Sequence, residues 1–332
     1  MTYGIVLDTN CFGVKSKYNF NKSSITICLN NLNNFDNIRV FLPSIVYEEL
    51  KRHIREVIES VESNINSTFL KQHLKKSQLD LMYEEKVKEL NKFIKKYHIT
   101  IIDCNKYSSN EQVNEWYFNS KYPFSPKKPK EFPDAMILSA SINYFKENKY
   151  DEVIMISNDN DIINGIKENS DFKVERTIQK VLSKLTNFTE EEIRKSEKYI
   201  KENEILKKED TYSFYIYDNN DNYEIDNIEY EINDIEMIDK NEEDKYYQLY
   251  VKCSLKLEGE FYLVDQVMSY YDKEDPECSA ICYRSGEELE IKDVGIFIAI
   301  NYDQNKLKDY TITKVEGIAL SDYFDQLEIV EQ

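Results

Sequence analysis

"GIVLDTN", residues 4–10, is an apolar run that ends on a carboxylate. Ile5, Val6 and Leu7 read as a buried β-strand, and Asp8 stands where that strand emerges. Taken alone, an acid in "LDTN" is a turn or cap former. Its meaning depends on what the other strands end on. "NIRVFLP" (37–43) is a second strand, closed by a proline. "HITIIDC" (98–104) is a third, "EVIMISNDNDI" (152–162) a fourth that ends in a cluster of acids, and "FKVERTI" (172–178) a fifth.

Between these strands lie helical patterns. "SSITICLNNL" (23–32) reads as a short helix. Ser44 is an N-cap for "IVYEELKRHIREVIESV", whose Ile45, Val46, Leu50, Ile54, Val57, Ile58 and Val61 recur at helical spacing. A long helical stretch continues through residues 69–97. "YPFSPKKPKEFP" (122–133) holds four of the six prolines and reads as an irregular loop, followed by the helix "DAMILSASINYFKEN". Strands alternating with helices imply a mostly parallel central sheet flanked by helices, with residues 51–97 as a long helical insertion. In such sheets the working groups gather beyond the carboxyl ends of the strands. Only seven glycines occur, and neither a G-x-G-x-x-G nor a Walker loop is present, which disfavours dinucleotide and P-loop folds.

Several acids share that topological position. Asp8 follows the first strand, Glu48 and Glu49 begin the helix after the second, Asp134 opens a helix, and Asp159 and Asp161 follow the fourth strand. Each alone is an ordinary turn or first-turn acid. Together, converging carboxylates raise one another's pKa and need a counter-charge. A hard divalent cation supplies it, and all-oxygen ligation selects Mg²⁺ or Mn²⁺. Such an ion activates water for phosphodiester hydrolysis.

"IVLDTN", "LPSIVYEELKRH", "FPDAMILSAS" and "IMISNDNDI" together resemble the four acidic motifs of the PIN-domain nucleases, over about residues 3–180. The resemblance implies that Asp8, Glu49 rather than Glu48, Asp134, Asp159 and, as an assistant, Asp161 are the catalytic and metal-binding acids. It implies a Mg²⁺- or Mn²⁺-dependent endonuclease, usually of RNA and less often of DNA, and often a toxin or a phage-defence effector. A non-catalytic PIN-like scaffold is the alternative. The helical stretch 51–97 is longer than in compact members of the family. A phosphatase of the haloacid dehalogenase class also opens on an acid after strand one but needs an aspartate two residues later, where this chain has Asn10. Asn10, His53 and Asn158 are candidates to support the acids without being among them.

Nucleic acid calls for cations on its phosphates. Candidates are Lys51, Arg52 and Arg55 beside Glu49, the helical Lys71, Lys75 and Lys76, and the loop lysines Lys127, Lys128 and Lys130. Trp116, Tyr117 and Tyr122 are candidates to stack unpaired bases. Charge divides the chain sharply. Residues 1–200 hold 30 Lys and Arg against 28 Asp and Glu. Of the 43 basic and 62 acidic residues in the whole, the remainder therefore carries 13 and 34, a net of −21. Two domains are expected, 1–205 and 206–332. In the second, alternating β-branched and aromatic runs indicate an antiparallel β-rich fold, and the acidic stretch 218–244 reads as a solvated strand edge or as partly disordered. At −21 it is no nucleic-acid clamp. A protein partner, self-association, or a lid competing with nucleic acid are the roles left to it. Six cysteines, mostly inside apolar runs, suit reduced thiols in the cytoplasm, and the close pair Cys278 and Cys282 lacks the partners of a zinc site. No apolar run is long enough to span a membrane, and the N-terminal sequence is unlike a secretory signal.

Overall fold

The structure is a computed structural model that describes residues 1–12, 24–64, 76–124, 131–186, 189–207, 222–264, 282–303, 306–316, 326 and 328–331. Its first strand, β1 (Tyr3–Leu7), has four consecutive residues removed from solvent, which is how a strand covered on both faces reads in sequence. There follow α1 (Ser24–Leu32), β2 (Ile38–Pro43), α2 (Ser44–Asn64), α3 (Lys76–Lys96) and β3 (Thr100–Ile102). Next come α4 (Cys104–Tyr107), α5 (Asn110–Phe118), α6 (Phe132–Glu147), β4 (Glu152–Ile156), α7 (Asn160–Asn169), β5 (Lys173–Glu175) and α8 (Ile178–Leu185). The sheet runs β3-β2-β1-β4-β5. Every pairing in it is parallel.

Register sets the site. Leu7 pairs with Ile156, so Asp8 and Ser157 are the next residues out at the same edge of two neighbouring strands. One helix packs very closely on this centre. A Cβ on Gly4 would lie 2.7 Å from Phe145 Cε1 of α6, so only glycine lets the Phe145 ring sit against β1. Phe41 of β2 completes the contact, its ring 5.0 Å from that of Phe145. Ser44 does more than begin α2: its hydroxyl accepts the Cys104 N–H at 2.9 Å and so ties the end of β3 to the helix.

Two compact units emerge, Met1–Ile58 with Asp80–Val181 and Glu59–Leu79 with Leu182–Gln332. The second contains α9 (Glu190–Glu202), the turn Ile205–Lys207 and five strands: β6 (Asn222–Asn241), β7 (Tyr246–Val264), β8 (Cys282–Asp303), β9 (Lys306–Val315) and β10 (Glu328–Glu331). All pair antiparallel, with β6 at one edge and both β9 and β10 on the far side of β8. The acidic stretch read as an edge or as disorder is thus strand β6 over Asn222–Asn241. The division of the chain differs from the boundary drawn near 205. Ile200, Ile205 and Leu206 are buried in one core with Leu249, Val251 and Ile298, so the helix before that boundary belongs to the sheet after it. "TYSFYIYD" (211–218) and Cys278 lie outside the described residues. Among the described residues no helix is long and apolar enough to cross a membrane.

Candidate active site

Asp8 is 5% exposed, and its backbone N–H bonds the Ile156 carbonyl across the β1–β4 boundary. Three donors hold its carboxylate. The Thr9 N–H reaches Oδ1 at 2.7 Å, and the Asn10 amide and Ser157 hydroxyl reach Oδ2 at 2.9 and 2.6 Å. Burial pushes its pKa up against the Ser157 and Thr9 bonds, and the charges of Glu49 and Asp159 push it further. Asn10 is therefore a partner of Asp8 itself.

Glu49 and Glu48 part company on α2. Glu49 lies on the half-buried side and accepts the Thr9 hydroxyl at 2.5 Å. Glu48 is exposed and paired with Lys51. Thr9 thus bridges two acids that are distant in sequence, its N–H on Asp8 and its hydroxyl on Glu49.

Asp134 sits in the first turn of α6, after Pro133. Its pKa is pushed up to about 8, first by burial, then by the charges of Glu131, Asp8 and Asp159 and by a hydrogen bond with Glu131. Asp159 is the N-cap of α7 and accepts the Asp161 N–H at 2.6 Å; its own N–H bonds the Ser157 hydroxyl at 3.0 Å. Ser157 therefore serves two acids at once. Asp161 is half-buried in the first turn of α7. Asn158 is exposed, and its carbonyl accepts from Arg176.

The candidate cations fare differently. Lys51 is tied to Glu48 at 2.8 Å, Arg52 to Glu56 at 3.4 Å and Arg55 to Asp80 at 2.9 Å. His53 turns to Glu56, its Nδ1 2.8 Å from Oε2. This is a solvated helix face with exposed ion pairs of small net worth. Lys71, Lys75, Lys127, Lys128 and Lys130 lie outside the described residues, and so does the side chain of Lys76. Trp116 is 2% exposed and is packing, not a stacking surface. Tyr117 is 40% exposed beside Phe118 at 79% and Phe132 at 39%, and it holds ring contacts to both. Phe132 is two residues from Asp134, so this aromatic patch adjoins the acids. The sequence reading passed over Thr9, Ser157, Glu131 and Arg176. Thr9 and Ser157 stand inside the quoted acidic motifs, and that was the available signal.

The donor set is oxygen only, partly buried and crowded with like charge, which in kind fits a hard divalent cation. The fit is not one of a closed cage: among the described residues no three carboxylate, histidine or cysteine side chains are grouped closely enough to hold an ion as they stand. Residues 5–162 match the family model described as the PIN domain. This part of the chain is a PIN domain. PIN domains are nucleases as a class and usually employ divalent metals. The PIN match covers β1 through the start of α7, and it includes Asp8, Glu49, Asp134, Asp159 and Asp161. No family matches the C-terminal region. No curated protein and no solved structure matches the chain.

Proposed function

We propose that the chain is a divalent-metal-dependent endoribonuclease. The supporting observation is the mutual electrostatic coupling of Asp8, Glu49, Asp134 and Asp159 at one edge of a parallel PIN-domain sheet. In this reading Asp8, Glu49, Asp134 and Asp159 hold Mg²⁺ or Mn²⁺, with Asp161 assisting. When bound, the ion supplies an activated water and stabilises the charge of the displaced phosphate oxygen. The chain's own groups fix the acids. Ser157, Asn10 and Thr9 hold Asp8 in one orientation, Thr9 aligns Glu49 with it, and the Asp134–Glu131 contact keeps a proton beside the acids. The aromatic patch around Phe118 offers unpaired bases a stacking surface next to Asp134.

RNA is favoured over DNA by the family resemblance, and a toxin or phage-defence setting comes from the same source. The free thiols of Cys11, Cys28, Cys104 and Cys253 agree with a cytoplasmic protein. The acidic sheet is assigned a protein partner or a second copy of itself, since its charge repels nucleic acid. A scaffold reading draws on one observation, that the acids do not close into a cage as they stand. Incubation of total RNA and of DNA with Mg²⁺, Mn²⁺ or EDTA tests the choice, with Asp8→Asn beside wild type. Cleavage of RNA by wild type alone, and only with metal, is the expected result. Equal cleavage by both proteins, or cleavage of nothing, favours the scaffold and removes the catalytic assignment.

A further inference from the structure

Arg176 follows β5 at the carboxyl edge of the parallel sheet and is exposed. Its Nη2 donates to Asn160 Oδ1 at 2.9 Å, and its Nη1 approaches the Asn158 carbonyl at 3.5 Å. Those two residues flank Asp159. The guanidinium is thus fastened to the very turn that presents one of the four coupled acids.

What it is fastened to matters. Lys51, Arg52 and Arg55 on α2 each spend their charge on a nearby carboxylate. Arg176 is anchored by a carbonyl and a side-chain amide, both neutral, and among the described residues no carboxylate forms an ion pair with it. A guanidinium carries five N–H donors in a planar fork, so several remain for an outside acceptor. Its charge, undiminished by a partner, is displayed beside a group of carboxylates. A fork of this kind matches the oxygens of a phosphate in pairs, which an ammonium does not.

Resting on the nuclease reading above, we propose that Arg176 is a substrate-binding residue that takes a backbone phosphate next to the bond being cut. The neutral anchors hold the fork in place before substrate arrives, so little side-chain freedom is lost on binding. The contact is to phosphate and not to a base, so it adds affinity without sequence preference.

The test is binding of short single-stranded RNA oligonucleotides of different sequence to the full chain. Ca²⁺ replaces Mg²⁺ to hold off hydrolysis, and affinity is followed across a salt series. Arg176→Gln is expected to bind about tenfold more weakly, as loss of a charge-assisted hydrogen bond implies. The slope of log affinity against log salt should fall by about 0.7, the share of one phosphate on a single strand. Both changes should be the same for every sequence, with the thermal midpoint unmoved. Arg176→Lys should keep the wild-type slope and lose part of the affinity. A wild-type slope in Arg176→Gln, whatever its affinity, overturns the proposal and leaves Arg176 as an anchor of the turn. If wild type binds neither RNA nor DNA, the nuclease reading itself falls, and this assignment with it.

Discussion

Asp134 is the residue at which stability and function pull apart. Its folded-state pKa of about 8 lies far above the ordinary carboxylate range, so the folded chain holds a proton that the unfolded chain has lost between about pH 4 and pH 8. A raised pKa of this sort stabilises fully below the unfolded value, and that contribution disappears as pH climbs through about 8. The thermal midpoint of the protein in EDTA should therefore fall between pH 5 and pH 8, and Asp134→Asn should flatten that fall. At pH 8 the variant should be the more stable by on the order of 1–2 kcal/mol while losing cleavage. A variant that is less stable than wild type at pH 8 would contradict the repulsion inferred here. Ser157 makes the opposite case. It is fully buried and bonds both Asp8 Oδ2 and the Asp159 N–H. Ser157→Ala should cost about 1–3 kcal/mol by thermal or urea unfolding and lower cleavage at least tenfold. The acids themselves were legible in the sequence because each ends an apolar strand or starts a helix. Their supports were not, since a threonine or serine in a turn carries no sign of which distant side chain it will meet.

At the scale of elements, the parallel strands could be read from five short runs, and the antiparallel sheet from alternation. The helices α4 and α5 escaped, being short and lacking a marked apolar stripe. Their caps are the signal that would have found them: Asp103 accepts the Asn105 N–H, and Ser109 accepts the Gln112 N–H. The close seat of α6 on β1 was invisible too, because a glycine's neighbour across space is not written in its sequence context. Gly4→Ala forces a carbon to within 2.7 Å of the Phe145 ring and should destabilise by about 1–3 kcal/mol, measured by urea unfolding. A neutral effect would mean that the ring moves aside freely. At the other end of α5, Phe118 carries almost no packing, so Phe118→Ala should leave the thermal midpoint unchanged. It should weaken single-stranded RNA binding by about 1–3 kcal/mol if bases stack there.

For the molecule as a whole, the charge split suggested a division near 205, yet the helix just before that point shares a core with the strands after it. A boundary at 205 suited the charged surface of α9, which shows mostly Glu and Lys to solvent, paired along the helix as Lys195–Glu191 and Lys201–Glu197. Its inner side decides its allegiance. Ile200 is fully buried with the strands, the Tyr199 hydroxyl bonds the Lys308 carbonyl at 2.5 Å, and Glu192 meets Lys240 at 3.2 Å. A fragment ending at 205 should therefore expose Ile200 and Ile205 and self-associate in sedimentation, whereas one ending at 186 should not. The proposed function requires the acids to act as one cation-binding unit, and Mn²⁺ titration calorimetry on the full chain measures this most directly. Wild type should bind Mn²⁺, and Asp8→Asn combined with Asp134→Asn should lose at least tenfold in affinity with the fold intact. Unchanged Mn²⁺ binding in the double variant would contradict it.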